Sequence, residues 1–200
     1  MKKNSILLLA AVTLAVLFSG CGKVPQAELN AAEAAIDSAK IAGADIYLIE
    51  DFTALQDSMK MINENIEVQK GKLFKKYNAV KDQLAYVTTT ANQLVANTET
   101  RKQEVKEEVL NVQNKVSTLL QQNNELLTKA PKGKEGKAAL EAIKNDLSLI
   151  ESSNTEVSNM VSDGDFLPAL DKAYAAKDKA MSINTELNNV IEKYNKANKR

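Results

Sequence analysis

The chain of 200 residues has no histidine and no tryptophan, and its single cysteine is Cys21. An intramolecular disulfide is therefore impossible, and histidine acid–base catalysis and histidine or thiolate metal sites are excluded by inventory. No cofactor or metal is expected. Three prolines and seven glycines are few enough to act as punctuation between segments dominated by Ala, Glu, Lys, Leu, Gln and Asn, which are good helix formers or common on helix surfaces. The apolar run over 6–18 is about 13 residues, short of the roughly 20 that a transmembrane helix needs. Charged sequence resumes at Lys23, so no membrane span is expected. Neither sign of charge is in excess: 26 basic side chains face 26 acidic ones. Losing Lys2 and Lys3 with a cleaved leader would tip that balance slightly to acid. Such a balance counts against nucleic acid, and against anionic headgroups, because both partners need clustered positive charge.

What is present begins with a secretory pattern. Lys2 and Lys3 precede the apolar run, and Ser19 and Gly20 close it before Cys21, the order of a cleaved signal peptide over 1–20. The stretch Leu17-Phe18-Ser19-Gly20-Cys21 resembles the bacterial lipobox, in which small residues precede a cysteine that is diacylglycerated before signal peptidase II cuts in front of it. Phe18 stands where that pattern usually has Leu. The resemblance implies cleavage between Gly20 and Cys21, acylation (palmitate among the chains) of Cys21, and a short lipidated tether over 21–24. The competing reading is an ordinary signal peptide followed by a free thiol, a liability in an oxidising compartment. Two or three acyl chains hold a protein stably on a membrane, at roughly 0.8 kcal/mol per buried methylene. Gly22 follows the cysteine where an aspartate would favour inner-membrane retention in many Gram-negative bacteria, so the resemblance points to the outer membrane, facing the periplasm. In a Gram-positive host the same signal would mean the outer face of the plasma membrane.

The body over 25–200 reads as helices, expected over about 26–43, 51–70, 72–129, 137–162 and 165–198. Pro25 suits a first helical position, and Leu29, Ala32, Ile36 and Ala39 recur every three or four residues. Gly43 ends that stripe. Asp51 is placed to cap the second helix, whose stripe is Phe52, Leu55, Met59, Ile62 and Ile66, and Gly71 to stop it. No glycine or proline interrupts 72–130. There the stripe is Leu73, Tyr77, Val80, Leu84, Val87, Ala91, Leu94, Thr98, Arg101, Val105, Val109, Val112, Val116, Leu119, Asn123 and Leu126. Its steps of three and four alternate except for consecutive fours at Arg101, Val105 and Val109, a stutter at which the seam loses its heptad phase. The fourth helix carries Leu140, Ile143, Leu147, Ile150, Val157 and Val161. The fifth carries Phe166, Leu170, Ala173, Ala180, Leu187, Ile191 and Tyr194, with Pro168 in its first turn and Lys193, Lys196, Lys199 and Arg200 at the negative end of its dipole.

Matching lengths suggest an all-α fold, an elongated antiparallel helical bundle or coiled coil made of two three-helix bundles that share the long central helix. The competing arrangement runs the second helix through Gly71 into the third. It would leave the seam from Tyr77 to Leu94 without an intramolecular partner and so demand self-association.

Candidate sites are few. Asp163-Gly164-Asp165 is a turn and helix cap; the further ligands of a calcium loop do not follow. Glu104, Glu107 and Glu108 with Lys102 and Lys106 form a solvated helix face. Lys132-Gly133-Lys134-Glu135-Gly136 has the composition of a turn and not the spacing of a phosphate loop. The polar residues within the seams, Thr98, Arg101, Asn123, Lys177 and Asn184, are either contacts to a partner or ligand, or register-setting and snorkelling positions.

The segment from Gly164 through Phe166, Ala169 and Ala173 to Ala176 resembles the second half of a tetratricopeptide repeat. It lacks the large residue expected at 173 and a second copy, which argues against a solenoid. Residues 25–100, with Pro25, Leu29, Ala32, Ala35, Ala39 and Gly43-Ala44, resemble small alanine-rich helical envelope lipoproteins that carry a domain of unknown function. The expectation is a lipid-anchored, non-catalytic envelope scaffold or interaction protein, held to the membrane by acyl chains on Cys21, with a protein partner or self-association through helical seams. The alternative is a periplasmic binding module that holds a small apolar or lipid ligand between helices.

Overall fold

A computed structural model describes residues 22–131, 133 and 136–198. The described residues form six helices and no strand: α1 Gln26–Ile41, α2 Ala44–Tyr47, α3 Ile49–Lys70, α4 Asn78–Lys129, α5 Gly136–Asp163 and α6 Phe166–Asn198. The fold is an all-α helical bundle. Two compact units divide it, one ending at Arg101 and the other starting at Lys102, which is where the stutter interrupts the seam. The helix α4 crosses this boundary unbroken, so its first part belongs to one unit and its last part to the other.

In the first unit α1, α3 and the first part of α4 enclose one core. Phe52, Leu55, Met59, Ile62 and Ile66 line the buried face of α3, and α1 meets them with Ala32, Ala35 and Ala39. Small residues on one helix let its axis approach the bulky face of another. Tyr77, just before α4, and Val80, Leu84, Val87, Ala91 and Leu94 within it complete the core, all at most 6 % exposed. Burying each large aliphatic or aromatic side chain contributes about 1.5–3 kcal/mol, so this core is what holds the three segments together.

Helix ends differ from the sequence expectation in ways that the backbone explains. The first helix stops at Ile41, and Gly43 adopts φ 90°, a left-handed conformation that glycine takes at little cost. The chain then makes the single extra turn α2. The second long helix starts at Ile49 with Leu48 in the cap position, so Asp51 lies inside the first turn, beside Glu50. Both carboxylates there still favour the positive end of the helix dipole. At the other end Gly71 is followed by a turn over 71–77, and the third long helix begins at Asn78 and not at 72. Gln69 holds this turn: its carbonyl accepts from the Lys72 amide at 3.1 Å and its side-chain Oε1 from the Lys76 amide at 3.3 Å. Reversal here allows α4 to bury its Tyr77-to-Leu94 seam within the same unit. Leu73, counted above as a seam residue, is outside the helix and 91 % exposed.

The second unit packs α5 and α6 against each other and against the last part of α4. Val109, Val112 and Val116 from α4 and Ile143, Leu147, Ile150 and Val157 from α5 meet an α6 face of Ala169, Ala173, Ala176, Ala180, Ile183 and Leu187. The α6 phase is thus set by small residues: Phe166, Leu170 and Ile191 sit at the core's edge, and Tyr194 is half exposed. Gly164, at φ 87°, reverses the chain after α5. Its amide donates to the Val161 carbonyl and that of Asp165 to the Met160 carbonyl, the paired bonds that satisfy the last carbonyls of a helix. Asp163-Gly164-Asp165 is accordingly a helix-ending turn.

Candidate functional site

Cys21, the Gly20–Cys21 cleavage point and the signal peptide over 1–20 lie outside the described residues, as do Lys132, Lys134, Glu135, Lys199 and Arg200. The chain that follows Cys21 is described, and it is seated on the first unit. Val24 packs against the core, Pro25 is buried, and the Leu29 amide donates to the Pro25 carbonyl at 3.0 Å. Gly22 adopts φ 125°, and the Cδ of Lys75 lies 3.7 Å from where a β-carbon on Gly22 would stand. Lys81 joins Glu28 at 3.0 Å and ties the first turn of α1 to that of α4. Hydrogen bonding to the Lys81 ammonium, helped by the Glu28 backbone amide and the Lys81 charge, holds the Glu28 carboxyl below its ordinary pKa. The start of the body therefore sits beside the 71–77 turn.

The polar seam residues separate into three kinds. Thr98 is fully buried and its hydroxyl donates to the Leu94 carbonyl at 2.7 Å within its own helix, which satisfies it locally. Arg101 is exposed, because the seam changes phase at that turn. Asn123 is fully buried and bridges helices: its Nδ2 donates to the Ala180 carbonyl at 2.8 Å, and its Oδ1 accepts from Asn184 Nδ2 at 2.8 Å. Asn188 Nδ2 extends this chain to Asn184. Lys177 lies half-buried with its ammonium 4.6 Å from the centre of the Tyr174 ring, a snorkelling arrangement. Tyr174 in turn donates to Glu108 at 2.6 Å. That bond and the nearby carboxylates raise the phenol pKa.

A second polar bridge, centred on Gln113, has no counterpart in the sequence reading. Its Nε2 donates to the Asn154 carbonyl at 3.0 Å and to Ser158 Oγ at 2.9 Å. The residue follows Val112 and so stands one step off the apolar stripe, where periodicity gives no sign of burial.

Open grooves run between helices within each unit. In the first, Met61 and Tyr86 flank a groove of about 380 Å³ floored by Ile62 and Val87, with Asp82 and Gln83 at its rim. The α1–α3 groove of about 780 Å³ carries Glu33, Asp37, Glu64 and Glu67 against Lys60. Among the described residues no group of three or more acidic, cysteine or histidine side chains converges where it could hold a metal ion. No helix among them is long and apolar enough to cross a membrane. No protein-family model, curated protein or solved structure matches the chain.

Proposed function

We propose that this protein is a lipid-anchored envelope protein whose helical body works by contact with other proteins and not by catalysis. The observation that carries the reading is Leu17-Phe18-Ser19-Gly20-Cys21, an acylation signal directly ahead of a helical body. Acyl chains on Cys21 would fix the body to the outer membrane on its periplasmic side, Gly22 being the residue behind that choice of membrane. The seam from Tyr77 to Leu94 is occupied within the first unit, so a protein partner would be met on other faces of the helices. Nucleic acid is not among the expected partners.

The test is direct. Cells expressing the chain are fed an alkyne-bearing palmitate analogue, and the N-terminal peptide is weighed. The expected result is a mature N-terminus at Cys21 carrying acyl chains, with label lost in Cys21→Ser. A mature chain with an unmodified cysteine would refute the anchor. In-cell crosslinking that returned neither a protein partner nor self-association would refute the scaffold role.

A second reading rests on the α3–α4 groove. Met61 and Tyr86 are 68 % and 70 % exposed, and apolar side chains facing solvent around a groove suit a small apolar or lipid ligand. Native mass spectrometry of the protein would then show a co-purifying molecule lost in Met61→Glu.

A further inference from the structure

The turn over 71–77 breaks the economy of the rest of the surface. Leu73 and Phe74, at its tip, are 91 % and 80 % exposed, more than any other large apolar side chain described except Ile41. Lysines flank them on both sides: Lys70 and Lys72 before, Lys75 and Lys76 after. Lys70 is paired with Glu67 at 2.6 Å. The balanced total of 26 basic and 26 acidic side chains hides this concentration of positive charge, because a total says nothing of where charges stand.

Position gives the turn a meaning. Gly22 lies against the Lys75 side chain, and Cys21 is joined to Gly22 by one peptide bond, a Cα-to-Cα step of about 3.8 Å. Acyl chains carried by Cys21 would enter a bilayer beside this turn. Two apolar side chains ringed by lysines suit the boundary of a bilayer, where apolar groups sink below the headgroups and lysine stems let ammonium groups reach the phosphates. We infer that the 71–77 turn is a second membrane contact, which sets Leu73 and Phe74 into an anionic bilayer with the flanking lysines on its headgroups and so holds the first unit against the membrane. The inference rests on the lipid-anchor reading for its location.

The absence of tryptophan supplies the probe, since Phe74→Trp introduces the sole indole. The full chain, as purified from membranes, is reconstituted in phosphatidylethanolamine–phosphatidylglycerol vesicles. Expected are a blue-shifted indole emission and its quenching by brominated acyl chains. Replacing Lys72, Lys75 and Lys76 with Gln should lower the docked-to-undocked ratio about 5-fold per lysine, the equivalent of about 1 kcal/mol each. Phosphatidylcholine vesicles should lower it likewise. Ile46→Trp, in α2 and 58 % exposed, should emit as in water throughout. Water-like, unquenched emission from the residue-74 indole on anionic vesicles would overturn the inference. So would insertion indifferent to lipid charge and to the lysines, or equal insertion of the residue-46 indole. The mass of the N-terminal peptide from the same preparation reports acylation separately. An acylated chain with a water-exposed indole refutes the turn and spares the anchor, whereas an unacylated chain whose indole still inserts refutes the anchor and supports the turn.

Discussion

Asn123→Ala removes a buried side chain that hydrogen-bonds α4 to a buried carbonyl of α6, and the geometry sets its cost. Two bonds of 2.8 Å are lost, one to the Ala180 carbonyl and one from Asn184 Nδ2. Ala180 is fully buried, so its carbonyl has no water to replace the lost donor, and that bond is worth about 1 kcal/mol. Asn184 is only half-buried, so its amide can turn to solvent; the second bond then costs about half as much. The missing carboxamide leaves a small void in a site of zero exposure, adding about 1 kcal/mol. The sum is a destabilisation of about 2–3 kcal/mol, confined to the second unit. Asn123→Leu breaks the same bonds but fills the space with apolar surface, so it should cost less, within about 1 kcal/mol of the parent. Peptide-resolved hydrogen exchange reads this directly, with peptides covering α6 around Ala180 and α4 around Asn123 opening more often in the alanine variant. An alanine variant within about 0.5 kcal/mol of the parent, or one no worse than the leucine variant, would refute the assignment of Asn123 as a bridge between helices.

The two glycines that flank the long helices of the first unit should respond oppositely. Gly43→Ala forces a β-carbon into φ 90° and should lower stability to urea by about 1–2 kcal/mol, while Gly71→Ala, at φ −75° with the nearest atom 3.7 Å away, should be neutral or raise it by up to about 1 kcal/mol. Tyr77 is 6 % exposed and its hydroxyl is buried without a hydrogen-bond partner; Tyr77→Phe should therefore not destabilise, and in thermal melts should gain up to about 1–2 kcal/mol. Because Lys81 holds the Glu28 carboxyl below its ordinary value of 4.5, the folded state binds a proton there less readily than the unfolded chain. Any stability from the pair is complete above pH 4.5 and is lost as pH falls through the folded-state pKa. Lys81→Met should move the Glu28 titration, followed by carbon-detected NMR, back toward 4.5, and an unmoved titration would refute the pairing.

Most of the architecture was legible because burial in a helical bundle is periodic. All five apolar positions expected on α3 are buried, and the stutter at Arg101–Val105–Val109 marks the division between the two units. Where periodicity failed, a backbone reason is visible. No proline or glycine follows Gly71 for many residues, so nothing in 72–77 forbids a helix; the turn exists because α4 must reverse to bury its own seam, a demand of tertiary packing that no local pattern carries. Asp51 has the right chemistry for a cap, but α3 gains three residues at its start by beginning at Ile49, and the cap position falls on Leu48. In α6 the expected stripe included Ala173, Ala180 and Leu187, which are buried, but took Phe166, Leu170, Ile191 and Tyr194 in place of Ala169, Ala176 and Ile183, because a close helix contact selects for small side chains and a hydrophobicity count rewards large ones.

The candidate site residues were less legible for a different reason: recognition depends on what stands beside what. Asn123 and Asn184 are 61 positions apart, and each alone is an ordinary polar residue in an apolar stripe. Gly22 and Lys75 come from opposite ends of three helices, and only the fold sets Gly22, the residue after the proposed acylation site, against a turn with two bare apolar side chains and three lysines, Lys70 preceding it. Net charge, summed over the whole body, argued against anionic headgroups. Screening in physiological salt limits each charge to about 8 Å, so a bilayer responds to the few lysines within that distance of its surface and not to the acidic groups farther along the helices. If Cys21 is acylated as proposed, a body that is slightly acidic in total and basic beside Gly22 would suit a protein held close to an anionic membrane.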